Sequence, residues 1–309
     1  MRVIFMGTAT FALPSLTALR EAGYEICLVV TQPDRPAGRG RRLAASPVKL
    51  AAQEARLPLL QPEKVRDSEV VAALRGMRPE AIVVVAYGQL LPDPILALPP
   101  HGCVNVHASL LPKYRGPAPI QWAIINREAV TGVSIMRIEA RVDAGPVLLQ
   151  QAEPVQPRDT AGTLGDRLAV AGAKLLCRAL DQVAGGTLSS AAQDERAATY
   201  APKLKPEDER LDWAREAIAL DALIRALLPD PGAATQFGGR RVKVLDAVTE
   251  EAAGGPPGLV LAIDRDKGVL VATGRQALRL RQLQPEGRRA MSADEFVRGY
   301  RLLIGATFG

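Results

Sequence analysis

Asn105 and His107 are the residues whose types and spacing point most clearly to chemistry. They lie in Val104-Asn105-Val106-His107, an apolar run that predicts a β-strand. Residues two apart in a strand project from one face, with about 6–7 Å between their Cα atoms. Both side chains can donate a hydrogen bond to an oxygen that gains negative charge during a reaction. The pair therefore predicts an oxyanion-stabilising site at the end of a strand.

Asp143 is the third candidate, in the turn that follows a strand predicted to end near residue 138. The carboxyl ends of strands in an open α/β sheet converge on one crevice, so we expect Asp143 to meet His107. A carboxylate there would keep the imidazole protonated and could accept a proton. An aspartate before an Ala-Gly-Pro sequence is most often a turn residue, and only its pairing with Asn105 and His107 favours catalysis.

The segment 34–49 concentrates positive charge around Gly38 and Gly40. Its basic residues are Arg35, Arg39, Arg41, Arg42 and Lys49, against the single acid Asp34. Glycines give mobility and arginines bind phosphate, so the segment predicts a flexible arm that contacts nucleic acid. A solvated charge run is the alternative interpretation.

The elements that must position these residues follow a βαβ order in the first half of the chain. Apolar runs predict strands at residues 3–6, 26–31, 81–86, 104–107, 133–138 and 147–151, and helical patterns cover 11–22, 47 onward, 67–76 and 163–183. This order predicts an α/β fold with a Rossmann-like open parallel sheet. The turn after the first strand has only Gly7, so no nicotinamide or flavin cofactor is expected there.

A different pattern begins after about residue 188. Residues 189–208 are polar and carry two prolines, which predicts a linker. Short alternating strands in 209–309 predict a small antiparallel barrel. A helix there is predicted to have Asp212 as its N-cap, and the last helix is predicted to begin at the capping box of Ser292 and Glu295. The predicted domains are 1–188 and 209–309.

Composition excludes several classes of protein. The chain has 309 residues with 48% hydrophobic residues, enough for two domains, and a formal net charge of +6, which permits a polyanionic partner. Three separated cysteines and two histidines argue against a zinc site or disulfide framework, and the cysteine usage fits a reducing, cytoplasmic compartment. No apolar stretch approaches the length of a membrane span, and no metal is expected.

Several motifs together resemble one family. Six segments occur in the order typical of methionyl-tRNA formyltransferases: TQPDRPAGRGRRL, SPVK, VVVAYGQLLP, VNVHASLLPKYRGPAPIQ, TGVSIM and VDAGPVL. The resemblance covers the whole chain. The Asn-His-Asp set and the SLLP loop are shared with a wider superfamily of 10-formyltetrahydrofolate-dependent enzymes. The arginine segment and the C-terminal region point to the tRNA-specific branch.

The resemblance implies formyl transfer from 10-formyltetrahydrofolate to the α-amino group of methionine on initiator tRNA. It implies a C-terminal domain similar to an OB barrel and a catalytic role for Asn105, His107 and Asp143. The same resemblance implies that Ser109, Leu110, Leu111 and Pro112 line the folate site. It also implies that Arg39 contacts the acceptor stem of the tRNA. We also expect a monomer.

Some positions depart from the family pattern, and other functions stay open. After the first strand, GTATFA stands where the family usually has GTPDFA. Near Asp143, Arg141 replaces a small residue and Ala144 replaces threonine. Residues 229–237 lack the usual tryptophan.

One alternative function is that of a formyltetrahydrofolate-dependent transferase or hydrolase that acts on a small molecule. Another is a non-catalytic RNA-binding relative, which would not need to retain Asn105, His107 and Asp143.

Overall fold

The structure is a computed structural model that describes residues 1–37, 42–187, 189–252 and 254–309. The chain divides into two compact units. Unit 1 comprises Met1–Pro119, Val130–Pro154 and Gly165–Ala201; unit 2 comprises Ile120–Ala129, Val155–Leu164 and Pro202–Gly309. Residues up to 201, within the predicted linker, thus belong to unit 1. The domain limits 1–188 and 209–309 stay a prediction.

Strands and helices alternate through the first part of the chain. The elements are β1 (Arg2–Gly7), α1 (Leu13–Glu21), β2 (Glu25–Val30), β3 (Arg35–Ala37), β4 (Arg42–Ala44), α2 (Pro47–Glu54), β5 (Leu59–Leu60), α3 (Ser68–Gly76), β6 (Ala81–Val85), α4 (Asp93–Leu96), β7 (Cys103–His107), α5 (Pro119–Ile125), β8 (Val130–Arg137), β9 (Val147–Pro154) and α6 (Ala161–Ala184). All six predicted strands and the four predicted helices occur, with shifted ends.

Among the described residues, the main sheet has the strand order β5-β2-β1-β6-β7-β8-β9. The strands from β5 to β7 are parallel, as predicted, but β8 is antiparallel to β7 and β9 is antiparallel to β8. The predicted α/β fold with an open, mostly parallel sheet is confirmed, and β8 and β9 make the sheet mixed at this edge. Residues 138–146 between β8 and β9 are too few for the helical crossover that parallel neighbours need.

Local sequence signals account for how the elements of unit 1 begin and pack. The Ser46 hydroxyl caps α2 by accepting the Lys49 N–H at 3.0 Å, and Pro47 occupies the first turn, as predicted. Gly172 of α6 lies against β7, where an added Cβ would be 2.7 Å from Val106 Cγ1. Helix α6 therefore packs closely on the strand that carries Asn105 and His107.

Unit 2 is built on an antiparallel sheet. Beyond residue 202 its elements are α7 (Ala217–Ala226), β10 (Ala234–Phe237), β11 (Arg240–Glu250), β12 (Val260–Asp264), β13 (Gly268–Ala272), β14 (Ala277–Pro285), β15 (Met291–Ser292) and α8 (Ala293–Tyr300). The described strands run in the order β10-β11-β14-β13-β12, with β15 on β14. The prediction that Asp212 caps α7 is wrong, because the N-cap is Glu216 and Asp212 accepts the Ala214 N–H in a preceding turn. The capping box of Ser292 and Glu295 is confirmed.

The last residues join the two edges of this sheet. The Val260 N–H donates to the Ala306 carbonyl at 2.8 Å, and Gln236 and Gly309 exchange two backbone hydrogen bonds of 2.8 and 3.0 Å. Because β12 and β10 are the two edge strands, the tail closes the sheet into the barrel-like form that the sequence predicted. In the described part of the chain, no helix combines the length and apolarity required to cross a membrane.

Candidate active site

Strand β7, an interior strand of the sheet, carries Asn105 and His107. Asn105 lies opposite Val84 of β6 and Met136 of β8, and His107 lies opposite Ser134. The His107 residue is only 5% exposed, whereas Asn105 is half-buried. Within the described residues the Asn105 amide makes no hydrogen bond. It is therefore available to a substrate.

The two ring nitrogens of His107 have different surroundings. Nε2 lies 2.9 Å from the carbonyl oxygen of Tyr114. A carbonyl can only accept a hydrogen bond, so Nε2 carries a proton in this contact. Nδ1 lies 3.7 Å from Oδ2 of Asp143. Nδ1 is thus the nitrogen that can exchange a proton or contact a reacting group.

The backbone of Asp143 has an unusual conformation, and its side chain is held by a backbone N–H. Its φ is +49°, in the left-handed region, and its Oδ2 accepts the Gly116 N–H at 2.8 Å. The predicted route to His107 is wrong, because β8 ends with Arg137 beside Val104, at the start of β7. The loop after β8 returns to bring Asp143 beside the imidazole, which the convergence of parallel strands does not explain.

The loop Ser109–Pro112 is held by one local hydrogen bond and by side chains of β8 and β9. The Ser109 hydroxyl donates to the Lys113 carbonyl at 2.6 Å. The Ser134 hydroxyl donates to the Ser109 carbonyl at 2.6 Å and accepts the Leu111 N–H at 3.0 Å. Gln150 donates to the Leu111 carbonyl at 2.8 Å. Leu110 and Pro112 are half-buried, so this loop presents an apolar surface on a rigid backbone.

The predicted arm includes a two-stranded hairpin, β3 with β4. Arg35 is exposed, 3.7 Å from Glu63, and Lys49 lies in α2 with its Nζ 2.6 Å from Asp34. The hydrogen bond from Lys49, followed by that from Gln61, lowers the pKa of Asp34 below its ordinary value. Arg35 is thus exposed, whereas the charge of Lys49 is compensated by Asp34.

Two other arm residues, Arg39 and Arg41, lie outside the described residues, as does the side chain of Arg42.

Three residues near the site were not found by sequence reasoning. Tyr114 supplies the carbonyl for His107, Arg115 is 2% exposed, and Gln193 donates to the carbonyls of Asp143 and Gly145. Arg115 belongs to the KYRG motif, which is a usable signal. Gln193 lies in a polar stretch that is typical of a linker and gives no signal. Among the described residues, no cluster of three or more His, Cys, Asp or Glu could hold a metal ion.

Comparison with known families identifies the class. A family described as formyl transferase matches residues 1–180, and one described as formyl transferase, C-terminal domain, matches residues 203–301. The chain therefore belongs to the formyl transferase family.

Proteins that are similar to this chain over its full length belong to one group within the formyl transferase family. The chain is 45% identical over 309 residues to a methionyl-tRNA formyltransferase of Geobacter metallireducens and 48% identical over 310 residues to one of Solibacter usitatus. In both cases all of this chain and 99% of the relative are covered. Within its family, the chain is thus similar from end to end to the methionyl-tRNA formyltransferases.

Solved structures share the fold at low sequence identity. HypX from Aquifex aeolicus in complex with tetrahydrofolic acid has a TM-score of 0.68 at 20% identity, covering 97% of this chain and 48% of HypX. An N-formyltransferase from Helicobacter canadensis in complex with folinic acid and dTDP-3-aminofucose has a TM-score of 0.65 at 14% identity, covering 90% and 98%. At these identities the likeness concerns the fold alone.

Proposed function

We propose that the protein transfers a formyl group from 10-formyltetrahydrofolate to the α-amino group of methionyl initiator tRNA. One observation supports the chemistry. The Nε2 atom of the His107 imidazole is held by the Tyr114 carbonyl, and its Nδ1 atom faces Asp143. The Asn105 amide lies on the same strand as His107. The full-length relatives that are methionyl-tRNA formyltransferases support the choice of substrate.

Asn105 and His107 act on the formyl oxygen. When the amine attacks the formyl carbon, a C–N bond forms and negative charge develops on that oxygen. The Asn105 amide and the Nδ1–H of His107 donate to it, and each such donor is typically worth about 100- to 1000-fold in rate. The hydrogen bond at Nε2 prevents the ring from rotating away from this position.

Asp143 handles the proton and the charge. Its carboxylate stabilises the positive charge on the imidazole and accepts, directly or through a water, the proton that the attacking amine sheds. That proton then passes to the folate nitrogen as its bond to the formyl carbon breaks. Holding amine and formyl carbon side by side supplies a further part of the rate.

The co-substrates are assigned to two surfaces. Ser109, Leu110, Leu111 and Pro112 form the proposed folate-binding loop, whose half-buried apolar side chains suit a flat ring system and whose backbone Ser134 and Gln150 immobilise. Arg35, Arg39, Arg41, Arg42 and Lys49 form the proposed tRNA-binding arm, supported by their shared positive charge. A monomer acting in the cytoplasm stays our expectation.

A single assay tests the function. Labelled 10-formyltetrahydrofolate is offered with charged initiator tRNA, charged elongator tRNA, free methionine and an amino-sugar nucleotide, each alone. We expect label only on the initiator tRNA, and labelling slowed by about 100- to 1000-fold with the Asn105→Ala variant. Label on the sugar nucleotide would favour a small-molecule formyltransferase. Label on none of the four would contradict the proposal.

A further inference from the structure

Residues 191–201, here called the strap, cross the two loops that hold the active site. The Val147 N–H donates to the Ala191 carbonyl at 2.8 Å, and the reciprocal bond is 2.9 Å. At the other end, the Arg115 N–H donates to Thr199 and the Ala201 N–H to Arg115, at 2.9 and 2.7 Å. The strap therefore ties the end of the Asp143 loop to the loop that carries Tyr114.

Gln193 lies in the strap with its side chain fully engaged. Its Nε2 donates to the carbonyl oxygens of Asp143 and Gly145 at 2.9 and 2.7 Å. Its Oε1 accepts from Nε and a terminal nitrogen of Arg115, at 3.0 and 2.9 Å. Carbonyls only accept and guanidinium groups only donate, so the amide has a single satisfactory orientation. An uncharged side chain that serves both neighbours must therefore carry a donor and an acceptor, as this amide does.

Arg115 supports Gln193 with a buried guanidinium group. The residue is 2% exposed, and its guanidinium also donates to both carboxylate oxygens of Glu195 at 2.9 and 3.1 Å. The Arg115 carbonyl and N–H are bonded to the strap, while the next residue, Gly116, donates its N–H to the Asp143 carboxylate. A buried, four-times bonded arginine is a rigid support.

We propose that Gln193 is a positioning residue that holds Asp143 in its left-handed conformation opposite His107. A left-handed φ at a residue with a side chain costs free energy and persists only where surrounding contacts enforce it. The Gln193 amide supplies two of those contacts, on either side of the Asp143–Gly145 turn. The inference rests on the proposed function for its effect on rate, but not for its effect on the Asp143 loop.

Two substitutions separate this role from simple packing. Gln193→Glu keeps the shape and the contact with Arg115 but has no hydrogen to donate to the two carbonyls. Gln193→Met fills a similar volume without any polar group. Arg196→Gln is the matched control, because Arg196 is exposed in the same strap and the change alters net charge by the same amount as Gln193→Glu. Circular dichroism checks that each protein folds.

Kinetics and NMR then give independent readouts. For both Gln193 variants we expect kcat to fall at least tenfold with the KM values for folate and tRNA within threefold, and Arg196→Gln to stay within twofold of the parent. The chain has only two histidines, so imidazole spectra resolve His107 with His101 as internal reference. We expect the His107 signals to move and those of His101 to remain.

Unmoved His107 signals in both variants would overturn the proposal, whatever the kinetics. Moved signals without a loss of kcat would support the positioning role and contradict the catalytic role of Asp143 instead. A parent protein that formylates nothing would contradict the proposed function, while the NMR comparison would still decide the role of Gln193.

Discussion

Nε2 of His107 donates to the carbonyl oxygen of Tyr114 across 2.9 Å, and this hydrogen bond assigns the roles of the two ring nitrogens. Tyr114 has φ +62°, so its backbone turns sharply just beyond the proposed folate-binding loop. With Nε2 occupied, only Nδ1 can reach a reacting group, on the side where Asp143 lies. The imidazole is therefore a directed donor rather than a freely rotating one.

Removing either proposed donor is expected to slow the chemical step. We expect Asn105→Ala and His107→Ala each to lower the single-turnover rate by about 100- to 1000-fold at saturating substrates, because one oxyanion donor is removed. His101→Ala is the control, and its rate should be unchanged. Losses of less than about tenfold in both variants would show that neither residue stabilises the transition state.

Asp143→Asn tests the charge of Asp143 with little change of shape. Asparagine tolerates a left-handed φ and can still accept the Gly116 N–H, so the unfolding free energy should stay within about 1 kcal/mol of the parent. We expect kcat to fall at least about 100-fold, because the proton acceptor is removed. Asp143→Ala, which also abolishes the hydrogen bond from Gly116, should be less stable as well as inactive. Equal kcat for the parent and Asp143→Asn would rule out a proton-accepting role.

Glu195 should make part of the stability depend on acid pH. Hydrogen bonds from Arg115 and then Arg141 lower the pKa of Glu195 from 4.5 to about 2. A depressed pKa contributes stability that is present above the unfolded value and is lost as pH falls towards the folded value.

We therefore expect the difference in unfolding free energy between the parent and Glu195→Gln to be greatest above about pH 5 and to vanish near pH 2. Urea unfolding of both proteins at several pH values measures it. A difference that does not change between pH 5 and pH 3 would contradict the ion pairs.

Gly116→Ala should damage both stability and activity. Gly116 has φ +122°, and an added Cβ would lie 2.6 Å from the Ala201 carbonyl oxygen, so the loop or the strap must move. We expect a loss of at least about 2 kcal/mol in unfolding free energy and a marked loss of kcat, since Gly116 also holds Asp143. Gly186→Ala is the control, with φ +65° but open space around it. A similar loss in both variants would show that backbone conformation alone is responsible.

The arm should act on tRNA and not on folate. We expect Arg39→Ala and Arg42→Ala to weaken binding of initiator tRNA. Each phosphate interaction that a variant abolishes should reduce the slope of log affinity against log salt by about 0.7–0.9. Affinity for a folate analogue should stay within about twofold. Arg196→Ala is the control for removal of a surface charge. An unaltered salt slope would mean that the arm is a solvated charge run.

Short-range signals in the sequence predicted much of this structure. The Ser46-Pro47 start of α2 and the capping box of Ser292 and Glu295 were predictable because their hydrogen bonds join residues three apart. The common face of Asn105 and His107 follows from the two-residue period of a strand. The antiparallel β8 was not predictable, since an apolar run has the same pattern in either direction. Gln193 was missed because its bonds to Asp143 and Gly145 span about fifty residues of chain.

The strap also determines where this chain can be recombined with a relative. Similarity to the first family domain ends at residue 180, yet Gln193 and Thr199, beyond that point, still belong to unit 1 and donate or accept hydrogen bonds there with the Asp143 and Tyr114 loops. A chimaera with its crossover between 181 and 190 would lay a foreign strap over the native Asp143 and Tyr114 loops. A crossover just after Ala201 would instead inherit both loops and their strap from one parent, and exchange only the barrel-like remainder.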